Sequence, residues 1–146
     1  MIEVENLTKY YGPRRAIKNL TFQVAQGEVV GFLGPNGAGK STTMNILSCI
    51  LSASSGTARI RGYDTFEHSL EIRKIIGYLP ETPPLYPDMS VRDYLMFAAQ
   101  IRGMTGKQTG NAIEKVIESC SLKDAGHRII GRLSKGYQQR VGLAQA

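Results

Sequence analysis

The sequence predicts an α/β fold with three consecutive parts: an antiparallel β part, a central strand–loop–helix unit and a mostly helical C-terminal part. Three observations support this prediction. Apolar and polar side chains alternate in residues 2–7 and 16–24, as they do in half-exposed strands. A glycine-rich loop follows the apolar run 28–33 and precedes a helix-like pattern. From residue 90 onward the apolar spacing becomes helical.

The N-terminal part is predicted to be antiparallel β structure that leads into the central strand. Residues 2–7 form an edge strand or a half-exposed strand, and residues 8–13 form a turn rich in aromatic side chains. The second strand covers residues 16–24. A tight turn at residues 26–27 then leads into the run 28–33, which is short and apolar and therefore predicts a buried strand.

The loop at residues 34–42 reads Gly-Pro-Asn-Gly-Ala-Gly-Lys-Ser-Thr and fits G-x-x-x-x-G-K-[ST], the phosphate-binding loop or P-loop. Glycines let successive backbone N–H groups point at one anion. A helix that begins near Gly39 adds its positive end. Lys40 can reach the β- and γ-phosphates of a nucleotide. The Ser41 hydroxyl can ligate Mg²⁺, which prefers hard oxygen ligands.

The predicted nucleotide-binding residues of the P-loop are Gly34, Asn36, Gly37, Ala38, Gly39, Lys40, Ser41 and Thr42. The alternative is a glycine-rich turn that binds nothing. The apolar strand before the loop and the helix after it favour nucleotide binding. The central part is therefore predicted to be the core of a P-loop NTPase.

Beyond the P-loop, the chain is predicted to alternate helices and short strands. The first helix covers residues 41–50, with Met44, Leu47 and Leu51 on one side. Five further segments are expected in this order: a polar loop at 52–56, a strand at 57–61, a turn at 62–64, a short helix at 67–74 and a core strand at 75–79.

Four prolines in residues 80–87 predict a stiff loop without regular structure, because proline fixes φ and has no N–H group. The sequence places the domain division just after this loop. Residues 1–89 form the β/P-loop nucleotide-binding core, which is expected to be incomplete. Residues 90–146 form a helical subdomain.

The helical subdomain is predicted to begin at Ser90, which makes a capping-box pattern with Asp93. Leu122 to Arg132 is expected to be irregular or short-helical, and the last helix follows Ser134. The first two helices each present an apolar face at helical spacing. These faces consist of Val91, Tyr94, Leu95 and Ala98 in the first, and of Ile113, Val116, Ile117 and Cys120 in the second.

Composition and charge narrow the class of protein. Apolar residues make up 42 % of the 146 residues and charged residues 21 %, as in ordinary globular proteins. No apolar run approaches the ~18 residues that span a bilayer, and the N-terminus lacks a signal-peptide pattern. We therefore expect a cytoplasmic location, with any membrane connection made through a partner.

The net charge of +6 is concentrated in residues 101–146, which carry eight Lys and Arg against three Asp and Glu. Nucleic-acid binding is nevertheless not expected, because these basic residues are scattered and have no interleaved aromatic side chains. Cys49 and Cys120 are expected to be small buried hydrophobic residues. No Cys–His cluster predicts a metal site, since His68 and His127 are isolated.

The stretch Leu133-Ser134-Lys135-Gly136-Tyr137 resembles the signature motif of ATP-binding cassette (ABC) ATPases, whose common form is L-S-G-G-Q. Ser134 and Gly136 match the motif, whereas Lys135 and Tyr137 depart from it. The structural alternative is an ordinary N-cap at Ser134. The position of the stretch favours the family, because it follows the P-loop, the proline-rich loop and two helices in the family's order.

The resemblance implies roles for two further residues. Tyr11 resembles the A-loop aromatic that stacks on adenine, an interaction worth ~1–3 kcal/mol. Tyr10 is its rival, and a core tyrosine is the structural alternative. Glu81 stands where the family usually has the Q-loop glutamine, which senses Mg²⁺ and the attacking water. The implied metal-site residues are therefore Ser41 and Glu81, although Glu81 adds a negative charge that the family pattern lacks.

The resemblance also implies partners. In ABC ATPases two domains clamp two ATP molecules head to tail, so Ser134 and Gly136 are expected to contact the nucleotide of a second chain, in a homodimer or a heterodimer. The combination of Y-L-P-E and L-S-K-G-Y looks most like the ATPase subunits of bacterial ABC-2-type exporters, including those of multidrug export and gliding motility. Such subunits work with a transmembrane permease at the inner face of the cell membrane.

Some parts of the family pattern do not occur in these 146 residues: the Walker B strand with its Mg²⁺-linked Asp, the catalytic Glu, the D-loop and the switch His. No catalytic residue is therefore assigned within the chain, which is expected to be a truncated ATPase that does not hydrolyse ATP alone. Without a neighbouring strand, residues 29–33 are expected to expose an apolar edge. Two alternatives remain: a soluble ABC ATPase that acts on ribosomes or DNA, and a non-catalytic nucleotide-binding fragment.

Overall fold

The mixed α/β architecture predicted from the sequence is present in the computed structural model, which describes all of residues 1–146. The chain folds as two units, Met1–Ile76 (the β unit) and Gly77–Ala146 (the helical unit). The elements of the β unit are β1 (Ile2–Tyr11), β2 (Arg14–Val24), α1 (Lys40–Leu47), β3 (Ser55–Ile60), β4 (Tyr63–Asp64) and α2 (Ser69–Ile75). Those of the helical unit are α3 (Val91–Ile101), α4 (Lys107–Ser119), a 3₁₀ helix (Ile130–Arg132) and α5 (Lys135–Gln145).

The four strands form one antiparallel sheet in the order β2-β1-β3-β4. Strand β1 is longer than predicted, because Thr8 to Tyr11 belong to it and only Gly12 and Pro13 make the turn. Two hydrogen bonds extend the pairing of this end with the segment before β3: Ser54 N donates to Thr8 O at 2.9 Å, and Tyr10 N donates to Ser54 Oγ at 3.0 Å. The predicted turn at residues 8–13 is therefore corrected to two residues.

The core of the β unit lies between the sheet and helices α1 and α2. It includes Val4, Leu7, Ile46, Ile60 and Ile72, each of which is 9 % exposed or less. Strand β3 buries alternate residues, Ala58 and Ile60, as a half-buried sheet requires, whereas a register shift in β1 separates the buried Val4 and Leu7 by three positions.

Helix α1 ends at Leu47, earlier than predicted, and it turns a different face to the core. Its buried residues are Thr43, Ile46 and Leu47. Met44, which the sequence placed on the apolar side with Leu47 and Leu51, is exposed. Gly39 caps the helix. In the first turn, Thr43 Oγ1 donates to Gly39 O at 2.9 Å, and this turn places the buried Thr43 toward the sheet.

Two predicted strands are wrong. Residues 28–33 and 76–79 have no strand pairing, and Ile75 is the last residue of α2. A strand needs a neighbour for its N–H and C=O groups, and the sheet brings none beside these two runs. The side chains of residues 28–33 are not buried as those of a core strand would be. Val29 is 99 % exposed and Leu33 is 92 % exposed. Residues 29–33 thus expose apolar side chains, as expected, but as an irregular segment rather than as a strand edge.

The first two helices of the helical unit bury the apolar faces that the sequence spacing predicts. Helix α3 buries Val91, Tyr94 and Leu95, and helix α4 buries Ile113 and Ile117. The expected N-cap is confirmed at the start of α3, where Ser90 and Asp93 are joined by two hydrogen bonds. Asp93 N donates to Ser90 Oγ at 3.2 Å, and Ser90 Oγ donates to Asp93 Oδ2 at 2.6 Å. None of the helices is long and apolar enough to cross a bilayer.

The proline-rich loop 80–87 has no regular structure, as predicted, and it belongs to the helical unit. The structure thus divides the chain before this loop, whereas the sequence placed the division after residue 89. The loop packs closely on α5: a Cβ added to Gly142 would lie 2.6 Å from Pro83 Cγ. Gln139 Nε2 of the same helix donates to Glu81 O at 2.6 Å.

The core position of α1 gives a matched stability test. Replacing the fully buried Ile46 by alanine should lower the free energy of unfolding by about 2–5 kcal/mol, because a cavity remains. Ile50→Ala removes the same atoms at a position that is 60 % exposed and should cost about 0.5 kcal/mol or less. Urea denaturation of both variants checks the packing, and equal costs would contradict it.

Candidate functional site

The P-loop residues take a conformation that depends on glycine. Gly37 and Gly39 have φ values of 85° and 88°, in the left-handed region. Gly39 is also confined in space, since an added Cβ would lie 2.6 Å from Ala16 O and 3.0 Å from Ile17 Cγ1. The start of β2 therefore presses against the loop where α1 begins, and only glycine fits at that contact.

Lys40 fixes the other side of the loop. Its Nζ donates to Gly34 O at 2.6 Å and to Pro35 O at 2.8 Å, so the loop arches around the ammonium group. An ammonium has three N–H donors, and one remains for an anion. The N–H groups of the first turn of α1 also have no partner within the helix. Both features favour the binding of a negatively charged group.

A cavity of about 330 Å³ opens beside the P-loop. This volume lies at the lower end of the range for small-molecule sites. The cavity brings the predicted aromatic residue and the predicted phosphate-binding residues together, since Tyr11 and the second half of the P-loop line the same space. Its lining residues are Tyr11, Arg14, Arg15, Ala16, Gly37, Gly39, Lys40, Ser41 and Thr42.

Tyr11, rather than its rival Tyr10, lines this cavity. Its side chain is about half exposed and does not belong to the core. Lys9 lies outside the cavity, with its Nζ 5.6 Å from the centroid of the Tyr11 ring, and the same Nζ donates to Ser52 O at 2.6 Å. Lys9 thus holds the ring in place by a cation–π contact. Gly34, Asn36 and Ala38 are part of the loop but do not line the cavity.

Ser41 is the one predicted metal-site residue in this cavity. The chain has no group of three or more His, Cys, Asp or Glu residues placed to hold a metal ion. Any Mg²⁺ at Ser41 would therefore take most of its oxygen ligands from phosphate and water, which is usual for this ion. Glu81 lies exposed in the helical unit, and its action together with Ser41 stays a prediction.

Ser134 caps α5, and its Oγ accepts a hydrogen bond from Tyr137 N at 3.5 Å. Gly136 lies in the first turn, and the space where its side chain would stand is open. Both residues are exposed. The structure thus contains the N-cap that the sequence offered as an alternative, and it leaves the helix N-terminus accessible. An accessible N-terminus of this kind can also bind an anion.

Tyr137, which departs from the signature pattern, has a partner that the sequence did not predict. Its hydroxyl donates to Asp124 Oδ2 at 2.6 Å, and the guanidinium carbon of Arg140 lies 5.4 Å from the ring centroid. The hydrogen bond from Tyr137 holds the pKa of Asp124 below its ordinary value, with smaller contributions from Arg128 and Arg140. The same bond raises the pKa of Tyr137. The first turn of α5 is therefore tied to the segment before it.

The two cysteines take no part in the cavity. Cys49 is buried, as predicted, and Cys120 is half-buried. Burial raises the pKa of the Cys49 thiol, and the nearby Arg73 opposes this shift. The thiol therefore stays protonated at neutral pH, as expected for a small hydrophobic residue.

Arg14 and Arg15 also line the cavity, although their position was not predicted from the sequence. The hairpin register could have indicated them, because a β1 strand that extends to Tyr11 pairs Tyr11 with Arg14. The observed two-residue turn pairs both arginines with the end of β1, whereas the longer predicted turn concealed this pairing.

Comparison with known proteins gives one consistent family. A protein-family model described as "ABC transporter" matches residues 17–146. The uncharacterized ABC transporter ATP-binding protein YxlF of Bacillus subtilis is 41 % identical over 146 residues, which cover 100 % of this chain and 48 % of that protein. The bacitracin transport ATP-binding protein BcrA of Bacillus licheniformis is 37 % identical over 146 residues, 100 % of this chain and 47 % of BcrA. The chain thus spans about half the length of the curated relatives it matches.

A solved structure described as the dimeric bacterial ABC transporter cassette MJ0796 has a TM-score of 0.86 at 27 % identity, over 99 % of this chain and 68 % of that chain. A second structure of MJ0796, described as a dimeric post-hydrolysis state bound to ADP and Pi, has a TM-score of 0.83 at 26 % identity over the same shares.

The Tyr137–Asp124 hydrogen bond predicts a specific pH effect. Because the folded-state pKa of Asp124 is lowered, the bond stabilises the folded state above the ordinary carboxyl pKa, and this stabilisation is lost as pH falls through the lowered value. Tyr137→Phe should raise the pKa of Asp124 toward its ordinary value, measured by NMR titration of the carboxyl carbon. Tyr63→Phe, in the β unit, is the matched control. An Asp124 titration unchanged by Tyr137→Phe would show that the bond does not form.

Proposed function

Because the chain belongs to the ABC transporter family, we propose that it is the ATP-binding part of a transporter ATPase subunit, whose whole protein couples ATP hydrolysis to export through a membrane partner. The observation that carries the proposal is the cavity that Tyr11 shares with Gly37, Gly39, Lys40 and Ser41. The aromatic ring and the phosphate-binding loop that share this cavity fit the two chemically different ends of a nucleotide.

Each part of the cavity has a role toward ATP. The Tyr11 ring stacks on the base, and its contact with Lys9 keeps it oriented. The backbone N–H groups of the P-loop and the Lys40 ammonium hold the β- and γ-phosphates. The Ser41 hydroxyl supplies an oxygen ligand to Mg²⁺. Mg²⁺ held at Ser41 would neutralise charge on the phosphates of ATP, whose terminal phosphoryl group is transferred to water.

The hydrolytic step needs groups beyond this cavity. Phosphoryl transfer depends on a positioned metal and a positioned water, and no carboxylate lines the cavity. We propose that Glu81 contributes to sensing Mg²⁺ and water, and that the carboxylates that complete the reaction belong to the remainder of the whole protein. A chain limited to residues 1–146 then binds the nucleotide without hydrolysing it at the rate of the whole protein.

Ser134 and Gly136 act on a nucleotide held by a second chain. Their exposed position at the N-terminus of α5 supports this role, since a partner's γ-phosphate can reach it. The dimeric form of the cassette MJ0796 also supports it. The second chain is another ABC ATPase domain, identical to this one or related to it.

Export rather than another ABC activity is favoured by the relatives. The name of BcrA describes bacitracin transport, and the name of the Escherichia coli protein YbhF describes a probable multidrug transporter component. The proposed location follows: the protein is cytoplasmic and attaches to a permease at the inner face of the membrane. An ABC ATPase acting on ribosomes or DNA would instead co-purify with nucleic acid and without a membrane subunit.

ATP binding is tested by removing the P-loop ammonium. Lys40→Ala should weaken ATP binding in the presence of Mg²⁺ about 10- to 150-fold, the range for losing hydrogen bonds to a charged group. Lys18→Ala removes the same charge from an exposed position on β2 that does not line the cavity and should leave binding unchanged. Titration calorimetry compares the two. Equal affinities in both variants, or no binding by the unaltered chain, would contradict the proposal.

The composite site is tested by complementation in the whole protein. Neither Lys40→Ala nor Gly136→Asp subunits should hydrolyse ATP alone, because both sites of each homodimer lack one half. A mixture forms heterodimers in which the intact P-loop of the second subunit faces the intact Ser134 region of the first. ATPase activity should therefore return on mixing. A mixture as inactive as its components would place both halves of the site in one chain.

A further inference from the structure

Two arginines extend the wall of the nucleotide cavity beyond the residues considered above. Arg14 pairs with Tyr11 and Arg15 with Tyr10 across the turn of the β1–β2 hairpin. Both side chains are exposed, and both line the cavity. Neighbouring side chains of a strand point to opposite faces, so the cavity wraps around the end of the hairpin.

The arginines connect Tyr11 with the P-loop along the chain. On one side, Arg14 is opposite Tyr11 in the hairpin. On the other side, Ala16 follows Arg15 directly, and its carbonyl oxygen is the atom that approaches Gly39. The chain from Arg14 to Ala16 therefore runs from the aromatic end of the cavity to the P-loop.

All charged residues that line the cavity are positively charged. Arg14, Arg15 and Lys40 contribute three cations to its lining, and no Asp or Glu lines it. The three ion pairs of the structure lie elsewhere and include neither arginine. Three uncompensated cations around about 330 Å³ repel one another. A polyanionic ligand relieves that repulsion.

The ligand contact of the arginines differs from those of Lys40 and Tyr11. The Lys40 ammonium is held by Gly34 O and Pro35 O, at the start of the loop. The Tyr11 ring already has Lys9 as its cation–π partner. The two guanidinium groups remain for phosphate oxygens, which their planar donor geometry suits.

We propose that Arg14 and Arg15 bind the phosphate chain of the nucleotide beside the P-loop, and thereby make the site select nucleotides by phosphate charge. The inference rests on the proposed nucleotide function of this cavity. It predicts that ATP and ADP bind more tightly than AMP, and that part of this preference comes from the hairpin rather than from the P-loop.

The test compares Arg14→Gln, Arg15→Gln and the double variant with the unaltered chain, by calorimetric titration with ATP, ADP and AMP at low and moderate salt. Each single change should weaken ATP binding about threefold to fivefold, as for an exposed ion pair. AMP binding should change less, so the ratio of ATP to AMP affinity should fall. The salt dependence of ATP binding should also become weaker.

Arg61→Gln is the matched control, because it makes the same change of charge at an exposed position of the β unit away from the cavity. Far-UV circular dichroism and urea midpoints establish that each variant is folded. An Arg14/Arg15 double variant that binds all three nucleotides like Arg61→Gln would overturn the inference. If Lys40→Ala still loses ATP binding in that case, the proposed function stands. If the unaltered chain binds no ATP, both fail.

Discussion

The contact between the backbone of Gly39 and the carbonyl oxygen of Ala16 determines how the candidate site is assembled. An added Cβ at Gly39 would lie 2.6 Å from that oxygen, so the contact forms only with glycine. It presses the start of β2 against the start of α1. Because β2 is paired with β1, the same contact carries Tyr11 and the hairpin arginines to the P-loop. The glycine pattern of residues 34–42 thus does more than shape an anion-binding loop, since it also joins that loop to the sheet.

The second half of the proposed composite site depends on a different set of interactions. Ser134 caps α5, and the Tyr137–Asp124 hydrogen bond ties the first turn of this helix to the preceding segment. Farther along α5, Gln139 holds the main chain of Glu81. The signature stretch and the proline-rich loop are therefore fixed to the same helix. A departure from the family's common motif, tyrosine in place of glutamine, has a defined structural role here.

Local chemistry explains which features could be predicted from the sequence. The P-loop, the cap at Ser90 and the apolar faces of α3 and α4 depend on residues close together in the chain, and the structure contains them. The runs 28–33 and 75–79 were wrongly predicted as strands, because an apolar run becomes a strand only where another strand pairs with it. Arg14 and Arg15 were missed because their position depends on the hairpin register. The Tyr137–Asp124 hydrogen bond was not predicted, because Asp124 lies outside the signature motif.

The proposed function depends on nucleotide binding in the cavity between the β1–β2 hairpin and the P-loop. Backbone amide NMR of the ¹⁵N-labelled chain, titrated with ATP and Mg²⁺, tests it most directly. Saturable shifts are expected at Gly37, Gly39 and Lys40, with accompanying shifts at Tyr11 and Arg15. Shifts confined to the helical unit, with the P-loop amides unchanged at saturating ATP, would contradict it.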